Sequence, residues 1–242
     1  MRLDHQVALV TGGSRGLGLA IAHALATEGA AVACVARAGA ELERAVEQLR
    51  STGSQALAAA ADVTRADEVE HAVRATIEQW GRLDIVVLNA GTWKGAPVHE
   101  TTEELWDQLL DLNLKGAFLT LRSALPWLID RRRGTVVGIA SLGAWVGQPN
   151  ASAYAAAKWG LRGLLESVAL EVKPHGIRVS IVAPHNINSA GRRIDPASDE
   201  RRHAIEAADV AAMVAFICTA PDFVSIGNVT VWPVGAGIRS EG

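Results

Sequence analysis

The chain has 242 residues, 49% of them hydrophobic and 20% charged, which excludes a disordered chain and is enough to build the core of one large α/β domain. Its net charge of −3 supplies no field for nucleic acid or an anionic membrane. The opening MRLDHQVALVTGG carries an acid at Asp4 and an apolar run cut short by glycines, so neither a signal peptide nor an anchor is expected, and no later apolar stretch approaches the ~20 residues that span a bilayer.

In chain order, short apolar or β-branched runs alternate with helical patterns. The runs are QVALVT (6–11), AAVACVA (30–36), QALAAAA (55–61), LDIVVLN (83–89), GTVVGIA (134–140), GIRVSIVA (176–183) and NVTVWP (228–233). Strand, helix, strand repeated with mostly unalternated apolar strands predicts a parallel sheet covered on both faces. The expectation is an α/β fold: one Rossmann-like doubly wound domain over residues 1–242, with about seven parallel strands and helices on both faces. Pro174 and Gly176 are expected to close the helix that carries Tyr154, and Asp209 or a neighbour to cap the last helix. From Asn188 to about His203 there is little apolar content and no periodicity. That stretch reads as a loop or mobile lid at the carboxyl edge of the sheet, where ligands bind in open α/β folds, and the substrate loop is placed at about 187–204. Cys34 and Cys218 lie far apart without a CxxC motif and read as buried free thiols in a reducing cytoplasm. The seven histidines show neither HxH nor HExxH spacing, so no metal site is indicated.

Three features carry chemistry. Directly after the first strand, Thr11-Gly12-Gly13-Ser14-Arg15-Gly16-Leu17-Gly18 opens a helix. Glycines there allow a tight turn and let a pyrophosphate approach the amides of a helix N-terminus, so dinucleotide binding is expected. At the end of the second strand, where an acid would bond the ribose 2′-hydroxyl of NAD, stand Ala36 and Arg37. Arg37 and Arg15 supply two guanidiniums for a 2′-phosphate, which favours NADP(H). Tyr154 and Lys158 fall at i, i+4 on one helix face, thirteen residues after Ser141. A cation within about 4–6 Å lowers a phenol's pKa by roughly one to three units, which would let Tyr154 trade protons with an alcohol or ketone near neutral pH. A packed tyrosine beside a solvated lysine produces the same spacing.

These residues resemble the short-chain dehydrogenase/reductase family, and the resemblance covers nearly the whole chain. It rests on TGGSRGLG (11–18), Asp62-Val63, Asn89-Ala90-Gly91, Asn113, Ser141 and the Tyr154/Lys158 pair, in the family's order and approximate spacing. It implies that Asp62 and Asn89 flank the adenosine half of the cofactor, with Val63, Ala90, Gly91, Pro184 and Ile187 along the binding cleft. Ser141, Tyr154, Lys158 and Asn113 would form a catalytic tetrad. In it, Tyr154 exchanges the proton, Ser141 orients the reacting oxygen, Lys158 lowers the tyrosine pKa and could hold the nicotinamide ribose, and Asn113 orients a water. Ser141 could instead simply cap a turn, and Asn113 could be a helix kink.

Two departures stand out. After the sixth strand the family usually has Pro-Gly, with a Thr four positions beyond that Gly; this chain has Pro184-His185, with Ser189 able to replace the Thr hydroxyl. His185 then either touches substrate or turns outward, the second being favoured. The ending NVTVWPVGAG looks more like reductases of miscellaneous carbonyl compounds than like acyl-carrier-protein reductases. Arg131-Arg132-Arg133 could meet an acidic carrier, although a cationic helix C-terminus is favourable in any case. Trp93 and Trp145, just past strand ends, are candidates for the substrate pocket. The apolar faces of 114–133 and of LRGLLESVALEV, with the resemblance, imply a homodimer or homotetramer. The function expected is NADPH-dependent reduction of a small-molecule ketone or aldehyde to an alcohol, reversible in principle, in the cytoplasm. The alternatives are 3-oxoacyl-[acyl-carrier-protein] reduction and a catalytically silent NADP(H)-binding sensor or interaction protein.

Overall fold

The computed structural model describes residues 1–188 and 203–234. All seven expected runs form strands: β1 (Val7–Thr11), β2 (Ala31–Ala36), β3 (Ala56–Ala60), β4 (Ile85–Leu88), β5 (Gly134–Ile139), β6 (Ile177–Pro184) and β9 (Asn228–Val231). They join in one parallel sheet of order β3-β2-β1-β4-β5-β6-β9. The order reverses between β1 and β4, the topological switch point at which a crevice opens beyond the strand ends.

The unalternated strands are buried on both faces. Val7 and Leu9 of β1 enter one core with residues of α3 (Ala66–Trp80), α5 (Gly116–Arg131) and α6 (Ser152–Val172). Ala8 and Val10 enter the other, with α1 (Gly16–Thr27), α2 (Ala40–Ser51) and α7 (Ala207–Cys218). In α2 the buried Leu42, Ala45, Val46 and Leu49 follow the i, i+3, i+4, i+7 stripe of a surface helix.

Two local features go beyond the sequence expectation. Short strands β7 (Ile187–Asn188) and β8 (Ile205–Glu206) pair in parallel and draw together the ends of the expected substrate loop, whose residues 189–202 lie outside the described part. Helix α4 (Glu103–Leu110) runs into α5 through a π turn, Asp111–Lys115, that contains Asn113. The helix ends follow expectation. After α6, Pro174 sits in a 3₁₀ turn and Gly176 takes φ +70; Glu206 caps α7, with Asp209 reaching back to its N–H in a capping box.

At the amino edge of the sheet, buried Asp84 accepts the Val7 N–H at 2.9 Å and two bonds from Arg82 at 2.7 and 2.8 Å. Asp84→Ala leaves that N–H and a half-buried guanidinium without an acceptor. A loss of about 2–3 kcal/mol in urea denaturation is expected, with Asp84→Asn retaining part of it; an unchanged midpoint would refute the account.

Candidate active site

The Gly-rich turn is built by close backbone approach. Gly12 and Gly16 adopt φ +66 and +54, and a Cβ on Gly18 would lie 2.0 Å from the Gly12 carbonyl oxygen. The turn is propped from the end of β4. Asn89 Nδ2 donates to the Thr11 carbonyl at 2.9 Å, while Thr11 Oγ1 accepts the N–H groups of Asn89 and Ala90 at 2.9 and 3.0 Å. Asn89 thus acts on the turn itself, and Thr11, which the motif contained without revealing this role, is its partner. No side chain caps α1, and Arg15 at its N-cap position is extended. An anion placed there would meet first-turn amides that have no side-chain acceptor.

Beyond β3, Asp62 Oδ1 accepts from Thr64 N at 2.9 Å and Thr64 Oγ1 at 2.7 Å. The Thr64 backbone bond, then the Thr64 hydroxyl and the charges of Arg37 and Arg65, hold the Asp62 carboxyl below the usual range against the opposing effect of burial. Val63 packs against Gly116, where a Cβ would lie 2.9 Å from its side chain. Arg37 is exposed. Arg15 has a neighbour that reading the strand end alone missed: Glu41, from the first turn of α2, lies 3.9 Å from its Nη1 and accepts from Ser14 Oγ at 3.4 Å.

Ser141, Tyr154, Lys158 and Asn113 converge beyond β4 and β5. Lys158, buried, donates to the Ile139 carbonyl at 3.0 Å, and its Nζ lies 5.8 Å from the Tyr154 ring centroid. Ser141 Oγ accepts the Gly143 N–H at 3.2 Å, so it caps the turn after β5. Asn113 is buried: its Nδ2 donates to the carbonyls of Leu109 (2.9 Å) and Thr92 (3.0 Å), and its Oδ1 accepts the Thr92 N–H at 3.2 Å. Gly91 fits between them because it lacks a side chain; a Cβ there would lie 2.6 Å from Asn113 Oδ1 and 3.6 Å from Lys158 Nζ.

The electrostatics differ from the expected lysine-lowered phenol. Burial pushes the Tyr154 hydroxyl above its ordinary value, and the neighbouring Ser141 hydroxyl only partly offsets this. Burial also pushes Lys158 down to about 8. The ammonium sits over the ring and bonds Ile139, so each group's own desolvation governs it.

The outer candidates scatter. Trp93 is 61% exposed, with its ring against Gly95, in a loop tied to a second one by Ala96 N–H donating to the Asn150 carbonyl at 2.8 Å. Trp145 packs on the core beneath the Arg162 guanidinium, 4.7 Å from its ring centroid. His185 donates its N–H to Val231 at 3.0 Å, and its half-buried ring tilts against Trp232 at 5.9 Å. Pro184 ends β6 and Ile187 opens β7, both at the carboxyl edge; Ser189 lies outside the described residues. The arginine triplet lies at the opposite end of the sheet. There Arg131 approaches Asp84 (3.9 Å), Arg132 donates to the Pro174 carbonyl (2.9 Å) and Arg133 pairs with Asp222 (3.1 Å).

A family profile described as short chain dehydrogenase matches residues 6–198. The 3-oxoacyl-[acyl-carrier-protein] reductase FabG of Staphylococcus aureus is 37% identical over 224 residues, covering 88% of this chain and 90% of its own. A metagenomic short-chain oxidoreductase solved in complex with NADP is 37% identical with a TM-score of 0.84, covering 96% of this chain and 98% of its own. A short chain dehydrogenase from Burkholderia cenocepacia J2315, also solved with NADP, is 31% identical with a TM-score of 0.86 over 96% of this chain and 98% of its own. With its sheet order, propped glycine turn and Tyr154/Lys158 helix, the chain belongs to the short-chain dehydrogenase family of oxidoreductases.

Proposed function

We propose that the protein is an NADPH-dependent oxidoreductase that reduces a ketone or aldehyde carbonyl to an alcohol, with Tyr154, Ser141 and Lys158 at the reacting centre. One observation carries the reading: Tyr154 and Lys158 share one face of α6, with Lys158 Nζ 5.8 Å from the tyrosine ring centroid, and a phenol so placed can give its proton to a carbonyl oxygen or take it back from an alcohol.

The turn suits the cofactor: its uncapped helix amides could take a pyrophosphate, and exposed Arg15 and Arg37 supply two guanidiniums for a 2′-phosphate. Each charge-assisted bond contributes roughly 1.5–3 kcal/mol, about a ten- to hundredfold preference over a cofactor lacking that phosphate. The two relatives solved with NADP support the same choice. When bound, NADPH supplies the hydride to the carbonyl carbon. Tyr154 Oη then gives its proton to the carbonyl oxygen, which Ser141 orients by a hydrogen bond. Asn113 has both Nδ2 hydrogens spent on Leu109 and Thr92, so its side chain acts as a positioning group that holds the 91–92 segment against Lys158.

The arginine triplet gives no support to a carrier partner, because its members are engaged within the chain at the edge remote from Tyr154. Exposed Phe118 and Trp127 on α5 and Trp159 and Leu170 on α6 support assembly as a homodimer or homotetramer.

Two measurements test the reading. NADPH is expected to bind at least about tenfold tighter than NADH; the reverse order would overturn the cofactor assignment. NADPH absorbance is expected to fall with some member of a panel of ketones, aldehydes, quinones and a 3-oxoacyl thioester. Tight NADPH binding without any turnover would instead favour a silent binding protein.

A further inference from the structure

We infer that Glu41 is a specificity-determining residue that competes with the cofactor's 2′-phosphate for Arg15, and so holds the preference for NADPH below what two arginines would impose. This rests on the NADP(H) reading above. The observation is tertiary: the first turn of α2 brings the Glu41 carboxylate to 3.9 Å from Arg15 Nη1, with a bond from Ser14 Oγ at 3.4 Å. Both residues belong to the Gly-rich turn. Arg37 makes no ion pair within 4 Å among the described residues; its charge acts at longer range on the Asp62 carboxylate, which Thr64 holds.

The consequence follows from charge. A 2′-phosphate that pairs with Arg15 must either displace Glu41 or share the guanidinium with it, and two anions at one cation repel. An unphosphorylated 2′-hydroxyl meets no such opposition. Arg15 and Glu41 keep 67% and 51% of their side-chain surface in water, so the effect is modest and sensitive to salt. Glu41 also lies at the N-terminus of α2, where any acid is favourable through the helix dipole. That role alone would alter stability and leave the choice of cofactor unchanged.

The test uses the full chain, titrated with NADPH and NADH by intrinsic fluorescence at low and high ionic strength. Glu41→Gln keeps the size and the bond from Ser14 while removing the charge. It is expected to tighten NADPH binding by about three- to tenfold at low salt, to change NADH by less than about twofold, and to lose most of the gain at high salt. In an Arg15→Ala background the gain is expected to shrink, since the competition is for Arg15. An unchanged NADPH affinity, or equal tightening of both cofactors, would overturn the inference. The wild-type order of the two cofactors judges the parent reading separately, because the Glu41 result is a change between variants.

Discussion

Tyr154→Phe is expected to lower turnover by about 10³-fold or more while leaving NADPH affinity within about twofold. General acid catalysis of this kind contributes roughly 10²–10⁴-fold, and removing the only positioned proton donor forfeits it. Phe preserves the ring that packs against Gly143 and lies beneath the Lys158 ammonium, so the change isolates the hydroxyl. Retained turnover would refute the assignment of Tyr154 as proton donor. A second readout separates the two accounts of the phenol. Tyr154 is the only tyrosine in the chain, so the tyrosinate absorbance band titrates this residue alone. Burial dominance predicts a midpoint above the ordinary value of 10. A midpoint below 10 would restore the lysine-lowered phenol suggested by the spacing.

Lys158→Met is expected to make the protein more stable near neutral pH and nearly inactive. The drop of the Lys158 pKa from 10.5 to about 8 corresponds to roughly 3 kcal/mol of penalty for carrying the charge inside. The pKa is depressed in the fold, so the penalty is full below pH 8. It fades as pH rises through the interval between about 8 and 10.5, and it is absent above, where the amine is neutral in both states. Methionine fills similar space but leaves the Ile139 carbonyl without its donor, which offsets part of the gain. A net stabilisation of about 1–3 kcal/mol at pH 7 is expected in urea denaturation, shrinking towards pH 10.5. Turnover is expected to fall by about 10²-fold or more. A destabilised variant at pH 7 would mean that the hydrogen bond and packing outweigh the desolvation, and the assigned penalty would be wrong.

How far the sequence reaches depends on the range of the interaction. Strand positions were legible because an unalternated run such as IVVL at 85–88 can be buried on both faces only in a covered parallel sheet. The glycine turn was legible for a similar reason: Gly12 and Gly16 hold positive φ, a local demand that side chains rarely meet. The pocket candidates were less legible. Trp145 is held by Arg162, seventeen positions on, and His185 packs on Trp232 from a neighbouring strand end. Both contacts depend on how elements pack, which strand-end position does not encode.

The sequence by itself therefore determined the sheet and the turn, because periodicity and backbone freedom are local properties, and its resemblance to the family singled out Ser141, Tyr154, Lys158 and Asn113 as candidates. The tertiary structure decided how those groups behave. Desolvation depends on everything packed around a charge, so only the fold could show Tyr154 pushed up and Lys158 pushed down. Charge proximity depends on which elements meet in space. Only the fold could bring Glu41 of α2 beside Arg15 at the start of α1.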